Sequence, residues 1–341
     1  MIRFSKPTIR RKDMNAVLQT MVDEKIGPGE RKQEFNRLFC EIAGRKYGIM
    51  LRSYYDAIRY CLSVCKITNE SIVGMSVLSP QLHALAVRSL GAKIKLGDID
   101  PTNGCLSLLE SQRLVEEGAD VILLDEPMGM IPHQIDYSSL GVPLIEDITQ
   151  SLGSSYDEDK AGMRGNLVIC AFEEEDMIST AGGAAILYDD PAFKESFSVQ
   201  LEGLHNFVEL PDLNAALGVI QCMTFNEQLE KRRSFYRLFQ KNLMKTHHKV
   251  FGIANADYNI NGFGFAVQLD SRIEDVMKFA SKYQVSSQKT FAGCVGSDMR
   301  EDFGHFGKAI PFMLRCLSFP LYPFISQQDN DLLVKVISHL P

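Results

Sequence analysis

Between residues 48 and 172, short apolar runs alternate with amphipathic stretches, and this alternation leaves the chain few architectures to adopt. Residues 48–51, 71–76, 92–96, 120–124, 143–146 and 168–172 read as strands. The stretches 54–64, 81–90 and 106–117 carry apolar residues at three- and four-residue spacing and read as helices. A strand followed by a helix and a further strand pairs in parallel through a right-handed crossover. The expected fold class is therefore α/β, with a large, doubly wound, mainly parallel sheet. On such sheets ligands sit beyond the carboxyl ends of the strands.

The flanks read differently. Residues 11–25 and 31–44 are amphipathic helices separated by Ile26-Gly-Pro-Gly29, a turn that neither helix can cross. From residue 225 a long charged helix (225–246) leads to a strand at 263–269, a helix at 273–283, a strand near Leu314 and a helix at 329–340. The expected division is a large α/β domain over residues 1–224, then a connector helix and small α+β domain over 225–341.

Composition removes several function classes. A net charge of −7 argues against nucleic acid or anionic membrane as a partner. No 18-residue uncharged apolar run occurs, so no membrane span is expected. The first residues lack the apolar core of a signal peptide, which predicts a cytoplasmic protein. Eight cysteines without a CxxC pair, and scattered histidines, predict buried thiols such as Cys61 and Cys65 and no metal site.

The chemistry-bearing residues cluster late in the alternating region. Pro143-Leu-Ile-Glu-Asp147-Ile-Thr-Gln150 delivers Asp147 and Gln150 to a strand end, where Asp147 serves either as a structural hydrogen-bond acceptor or as a ligand contact. After the 168–172 strand comes Glu173-Glu-Glu-Asp176, then a turn at Ala181-Gly-Gly183. The acidic run is either a solvated loop or a pocket for an amine or a hard cation. Lys160 reads as a surface residue.

Six segments in order resemble the DegT/DnrJ/StrS-type sugar aminotransferases, which are fold-type-I pyridoxal-phosphate (PLP) enzymes. Gly27-Pro-Gly29 with Lys46-Tyr-Gly48 is similar to the family's opening. Leu90-Gly-Ala-Lys with Gly97-Asp-Ile-Asp100-Pro matches its strand and turn, and Gly129-Met-Ile-Pro132-His-Gln-Ile-Asp136 its G-x-P-x-x-M-D. Leu144-Ile-Glu-Asp147-Ile-Thr-Gln150 resembles its I-E-D-A-A-Q. Asp212-Leu-Asn-Ala-Ala-Leu-Gly218 resembles D-x-Q-A-A-x-G, and Cys316-Leu-Ser-Phe-Pro-Leu-Tyr-Pro323 resembles S-L-P-L-Y-P. The resemblance implies the fold-type-I architecture and a homodimer with sites near the subunit interface. It also implies that Asp147 partners the cofactor's pyridinium nitrogen.

The departures from the family lie at the cofactor. The Schiff-base lysine falls on Asp176, and no lysine occurs between Phe172 and Gly183. The family's small Ser-Gly-Thr phosphate cradle is Ser53-Tyr54-Tyr55 here, so both phenols are expected to fill part of the phosphate seat. Its stacking ring falls on Pro80, and its G-Y-N segment is Leu204-His205-Asn206. These changes predict a catalytically degenerate protein, a pseudoenzyme that needs no cofactor. Its residual pocket would be formed by Asp147, Gln150 and Ser53 and would take a nucleotide-sugar, another small molecule or a partner enzyme in nucleotide-sugar or surface-polysaccharide biosynthesis. Two alternatives stand beside it. One is an active PLP-dependent aminotransferase on a nucleotide-linked keto-sugar, using a non-standard lysine such as Lys289. The other is a structural or regulatory partner of an active paralogue.

Overall fold

The computed structural model describes residues 1–132, 135–252, 258–298 and 303–341. His133 and Gln134 of the 129–136 segment lie outside the described residues. A seven-stranded sheet forms the centre. Its strands are β1 (Tyr47–Leu51), β2 (Ile72–Ser76), β3 (Lys93–Gly97), β4 (Val121–Asp125), β5 (Leu144–Asp147), β6 (Leu167–Ala171) and β7 (Ala184–Tyr188). They lie in the order β1-β7-β6-β5-β4-β2-β3. The five strands from β6 to β3 run parallel, and β7 and β1 close one edge as antiparallel neighbours. The fold is thus α/β on a mainly parallel sheet, as the alternation requires.

Burial follows the pleat. Successive side chains of a strand face opposite sides, so Ile145 packs with Val73, Leu123 and Ile169 under two helices, α3 (Tyr54–Val64) and α4 (Gln81–Ser89). Leu144 joins Ile122 and Leu124 on the other side. The sequence -Leu-Ile-Glu-Asp- therefore sends Glu146 and Asp147 to opposite faces of the same strand.

A second, four-stranded antiparallel sheet is built from Lys249–Val250, Phe265–Gln268, Gln288–Lys289 and Cys316–Phe319. The strand expected near Leu314 is displaced. Leu314 lies in a short helix, Ile310–Arg315, whose Pro311 is accommodated in the first turn where no intrahelical N–H is needed, and the strand begins at Cys316. The long helix is Phe225–Leu243 and the last is Gln327–Ile337, each ending a few residues before its expected limit. Main-chain bonds tie the segment after β2 to residues 293–296, which follow the small sheet's Gln288–Lys289 strand: Gln81 N–H to Gly293 O (3.0 Å), Val295 N–H to Ser79 O (2.9 Å) and Gly296 N–H to Val77 O (2.9 Å). Among the described residues no helix is long and apolar enough to cross a membrane.

Candidate functional site

A cavity of about 560 Å³ opens at the carboxyl ends of β4, β5 and β6, where the topology places a ligand. The small sheet supplies its far wall through Lys289 and Ser318, and the N-terminal residues Phe4–Lys6 border it. Asp125 and Asp147 are register partners on β4 and β5 and both line it.

Asp147 is 4% exposed and makes a full set of hydrogen bonds. Its Oδ1 accepts from Thr149 N–H (2.9 Å) and Thr149 Oγ1 (2.6 Å). Its Oδ2 accepts from His83 Nε2 (2.8 Å) and from the Tyr54 hydroxyl. Burial alone would raise its pKa, but the His83 and Thr149 bonds outweigh it and hold the carboxyl below the usual range. An ionised carboxylate has about four lone-pair sites, and here each is taken.

Both donors reach Asp147 from helix starts. Ser53 caps α3, its Oγ accepting from Asp56 N–H (3.1 Å), which fixes Tyr54 at the first helical position facing the cavity. Pro80 precedes α4 with extended backbone, and His83 is a fully buried residue of that helix's first turn. His83 Nε2 carries a proton, because the ionised Asp147 oxygen it faces can only accept, while Nδ1 is buried without a partner. Tyr54 Oη also lies 2.8 Å from His83 Nε2, closing a three-membered cluster. Burial, reinforced by Asp147, pushes the Tyr54 phenol well above its ordinary value, so it stays protonated and donates.

The site residues expected from sequence divide unevenly. Asp147, Gln150 and Asp176 line the cavity, whereas Ser53 is spent on the helix cap and does not line it. Gln150 Oε1 accepts from Met128 N–H (2.8 Å), which serves the left-handed turn at Met128 (φ +55°). The two tyrosines were expected together in the phosphate seat, yet only Tyr54 enters the cavity. Tyr55 turns along the helix surface, its ring under the Arg59 guanidinium at 5.7 Å. Lys160 is exposed on a two-residue strand.

Glu173, Glu174 and Glu175 are exposed, as a solvated loop would be, but Asp176 is half-buried. Its Oδ2 accepts from Glu173 N–H (2.7 Å), folding the run into a turn. Burial, with Asp147 and the neighbouring glutamates, raises its carboxyl to about 7. Phe172 closes the loop base through Phe172 N–H to Gly183 O (2.9 Å) and Thr180 N–H to Phe172 O (3.0 Å). Gly183 has φ +113°, and a Cβ there would lie 2.8 Å from Leu51 O, so glycine is required. Among the described residues no cluster of three or more metal-ligating side chains occurs.

Lys289 lines the cavity but is exposed, its Nζ 3.5 Å from Glu274. Arg232, which sequence reasoning passed over as one more charge on a long helix, lines the cavity while only 3% exposed. Its Nη1 donates to the carbonyls of Gly262 (3.2 Å), Phe263 (3.4 Å) and Leu321 (3.2 Å), and burial lowers its pKa to about 10. The Asp212–Gly218 segment is a clamp. Asp212 accepts from Gly29, Arg31 and Lys32 N–H, Asn214 donates to Thr180 O (2.7 Å), and Gly218 lets Phe35 pack where a Cβ would clash at 2.6 Å.

A mainly parallel α/β sheet with its cavity walled by a second, antiparallel sheet is the architecture of the fold-type-I PLP-dependent transferases. Residues 7–338 match the DegT/DnrJ/EryC1/StrS aminotransferase family, and the chain belongs to that family. It is 27% identical over 271 residues to a UDP-4-amino-4,6-dideoxy-N-acetyl-β-L-altrosamine transaminase of Campylobacter jejuni, covering 73% of this chain and 71% of that protein. It is 20% identical to the spore coat polysaccharide biosynthesis protein SpsC of Bacillus subtilis, over 98% of this chain and 95% of that one. Among solved structures, a putative sugar aminotransferase of Streptococcus pneumoniae in its PMP form superposes with a TM-score of 0.89 at 15% identity, over 99% of this chain and 96% of that one. A GDP-4-keto-6-deoxy-D-mannose-3-dehydratase of E. coli with bound hydrated PLP gives 0.85 at 15% identity, over 99% of each chain.

Proposed function

We propose that this protein is a catalytically degenerate sugar-aminotransferase homologue. It keeps the family scaffold, holds no PLP, and binds a small ligand in nucleotide-sugar or surface-polysaccharide biosynthesis. The observation that carries this reading is the saturated state of Asp147. A pyridinium N–H needs a free acceptor there, and Tyr54, His83 and Thr149 leave none. Asp176, which the resemblance puts at the family lysine's place, brings a carboxylate in place of an amine. The residues present therefore do not fit PLP as the family holds it, and no step is derived through it.

The names of the relatives supply the metabolic setting: a transaminase acting on a UDP-linked amino sugar, a spore-coat polysaccharide protein and a dehydratase of a GDP-linked keto-sugar. In this reading residues 1–224 form the large domain and 225–341 the small one. A homodimer is also part of it, supported by the Asn206–Gly218 segment, which in the family approaches the neighbouring subunit and on which Phe207 stands 75% exposed. Light scattering should return about twice the 38.2 kDa chain mass.

One observation favours a second reading, an active aminotransferase: Lys289 does reach the cavity wall. The experiment is to add PLP to the purified protein, record the visible spectrum, reduce with borohydride and map peptides by mass. The wild type and the single Asp176→Lys variant should both lack a visible band and a pyridoxyl-lysine, because Tyr54 still occupies Asp147. A stoichiometric adduct at one lysine of the wild type overturns the degenerate reading in favour of the enzyme.

A further inference from the structure

Among the charged side chains that line the cavity, Arg232 and Asp176 are of opposite sign and share its space without a salt bridge. Arg232 is buried, yet among the described residues no carboxylate lies within 4.0 Å of its guanidinium. Its Nη1 rests on three neutral carbonyls and its Nε has no partner. A buried charge is ordinarily paired, so this one is left with unmet demand for an anion. Asp176 lines the same cavity, and the two form no salt bridge. The cavity's other carboxylates are Asp147, already saturated; Asp125 and Glu126, both raised by burial and accepting from the Ser79 and Ser151 hydroxyls; and Glu173, Glu174 and Glu175 on the Asp176 loop, with Glu175 taken by the Ser5 hydroxyl (2.8 Å). The remaining cations at the wall, Lys6 and Lys289, are exposed at the rim.

Resting on the reading that the cavity is a ligand site and not a cofactor seat, we propose that its ligand is a zwitterion. The anionic group sits on Arg232 and an ammonium faces Asp176. An anion alone would satisfy Arg232 but bring its charge against Asp176 and the glutamates. An amine alone would leave the buried guanidinium unpaired. A molecule carrying both completes the interrupted ion pair, inside a partly dry site where each interaction is stronger than in water. About 560 Å³ is within the usual range for a small-molecule site and leaves room for a sugar-sized neutral body between or beside the two charges.

The test uses the full-length protein and a ruler of ω-amino acids from glycine to 6-aminohexanoate, with propionate and propylamine as the separate halves, titrated calorimetrically at pH 8. One chain length should bind about tenfold or more tighter than either half. Asp176→Asn, which keeps the acceptor for Glu173 N–H, should reduce that zwitterion to the level of propionate. Binding should weaken between pH 8 and pH 6 in the wild type, as Asp176 takes up a proton, but not in the variant. If every ω-amino acid binds no better than propionate, or if Asp176→Asn leaves the preference intact, the proposal fails. The same samples are titrated with PLP. A trapped pyridoxyl-lysine would bring down the degenerate reading itself, whereas absence of both PLP and zwitterion binding would bring down this inference alone.

Discussion

Glu146 and Asp147 are consecutive buried carboxylates on one strand, and they are held in opposite ways. Glu146 accepts from three main-chain groups, Gly162 N–H (2.9 Å), Arg164 N–H (2.8 Å) and Gly165 N–H (2.6 Å). Asp147 faces the other side and takes two of its bonds from the side chains of Tyr54 and His83. Main-chain donors do not depend on a particular side chain to exist, although here the loop that aims them needs glycine at 162 (φ +87°) and at 165, where a Cβ would lie 2.5 Å from Leu167 O. Side-chain donors change with every codon. The lesson is that one strand carries a conservative face, which fixes the fold, and a permissive face, on which chemistry is lost or replaced while the scaffold stays.

Three measurements test that contrast. The largest effect is expected at Glu146→Ala, which strands three N–H groups in the interior and should cost about 4 kcal/mol in urea unfolding. A loss under about 1 kcal/mol would mean that water replaces the carboxylate and the face is not conservative at all. Asp176→Asn should act in the opposite direction. Its carboxyl titrates at about 7 in the fold against 3.8 unfolded, so the folded state resists ionising it. Wild-type stability from this group is complete below the unfolded value, falls as pH rises from about 4 to about 7, and stays lost above that. The variant lacks the penalty and should be more stable by about 2 kcal/mol at pH 8, after discounting for solvent at a half-buried site, with no gain at pH 4. Equal stability at both pH values would show that the group is not strained. The smallest effect belongs to Tyr54→Phe, which removes one of four bonds to Asp147 and should cost about 1 kcal/mol. A cost rivalling that of Glu146→Ala would erase the distinction between the two faces.

The fold was legible because its signals are local. Apolar runs of four to six residues, helix spacing between them, and the stop at Gly27-Pro-Gly29 place the central sheet without reference to anything distant. The Leu314 strand was misplaced because a short helix with proline in its first turn and a strand look alike in so few residues. The site was legible only in part. Asp147 and Asp176 lie on a strand end and a loop that sequence order locates, so both could be named. His83 joins Asp147 from 64 residues away, and nothing in the pattern of α4 sets it apart from an ordinary core position. Arg232 sits in Glu230-Lys-Arg-Arg233, where solvated charge is the default reading, and only packing against the 262–263 and 321 carbonyls makes it a buried cation. The destination of Tyr54 was missed for a related reason. The phenol is long enough to pass the helix start and find a carboxylate on the neighbouring strand.

That phenol has a consequence for light as well as for chemistry. The chain contains no tryptophan, so tyrosine emission is not drained by energy transfer to an indole. A phenol hydrogen-bonded to a carboxylate loses much of its fluorescence by passing its excited-state proton, and Tyr54 is held in that dark arrangement by Asp147. A molecule that pushed the ring away from Asp147 would brighten the protein near the tyrosine emission band. One that bound elsewhere in the cavity would leave it dark.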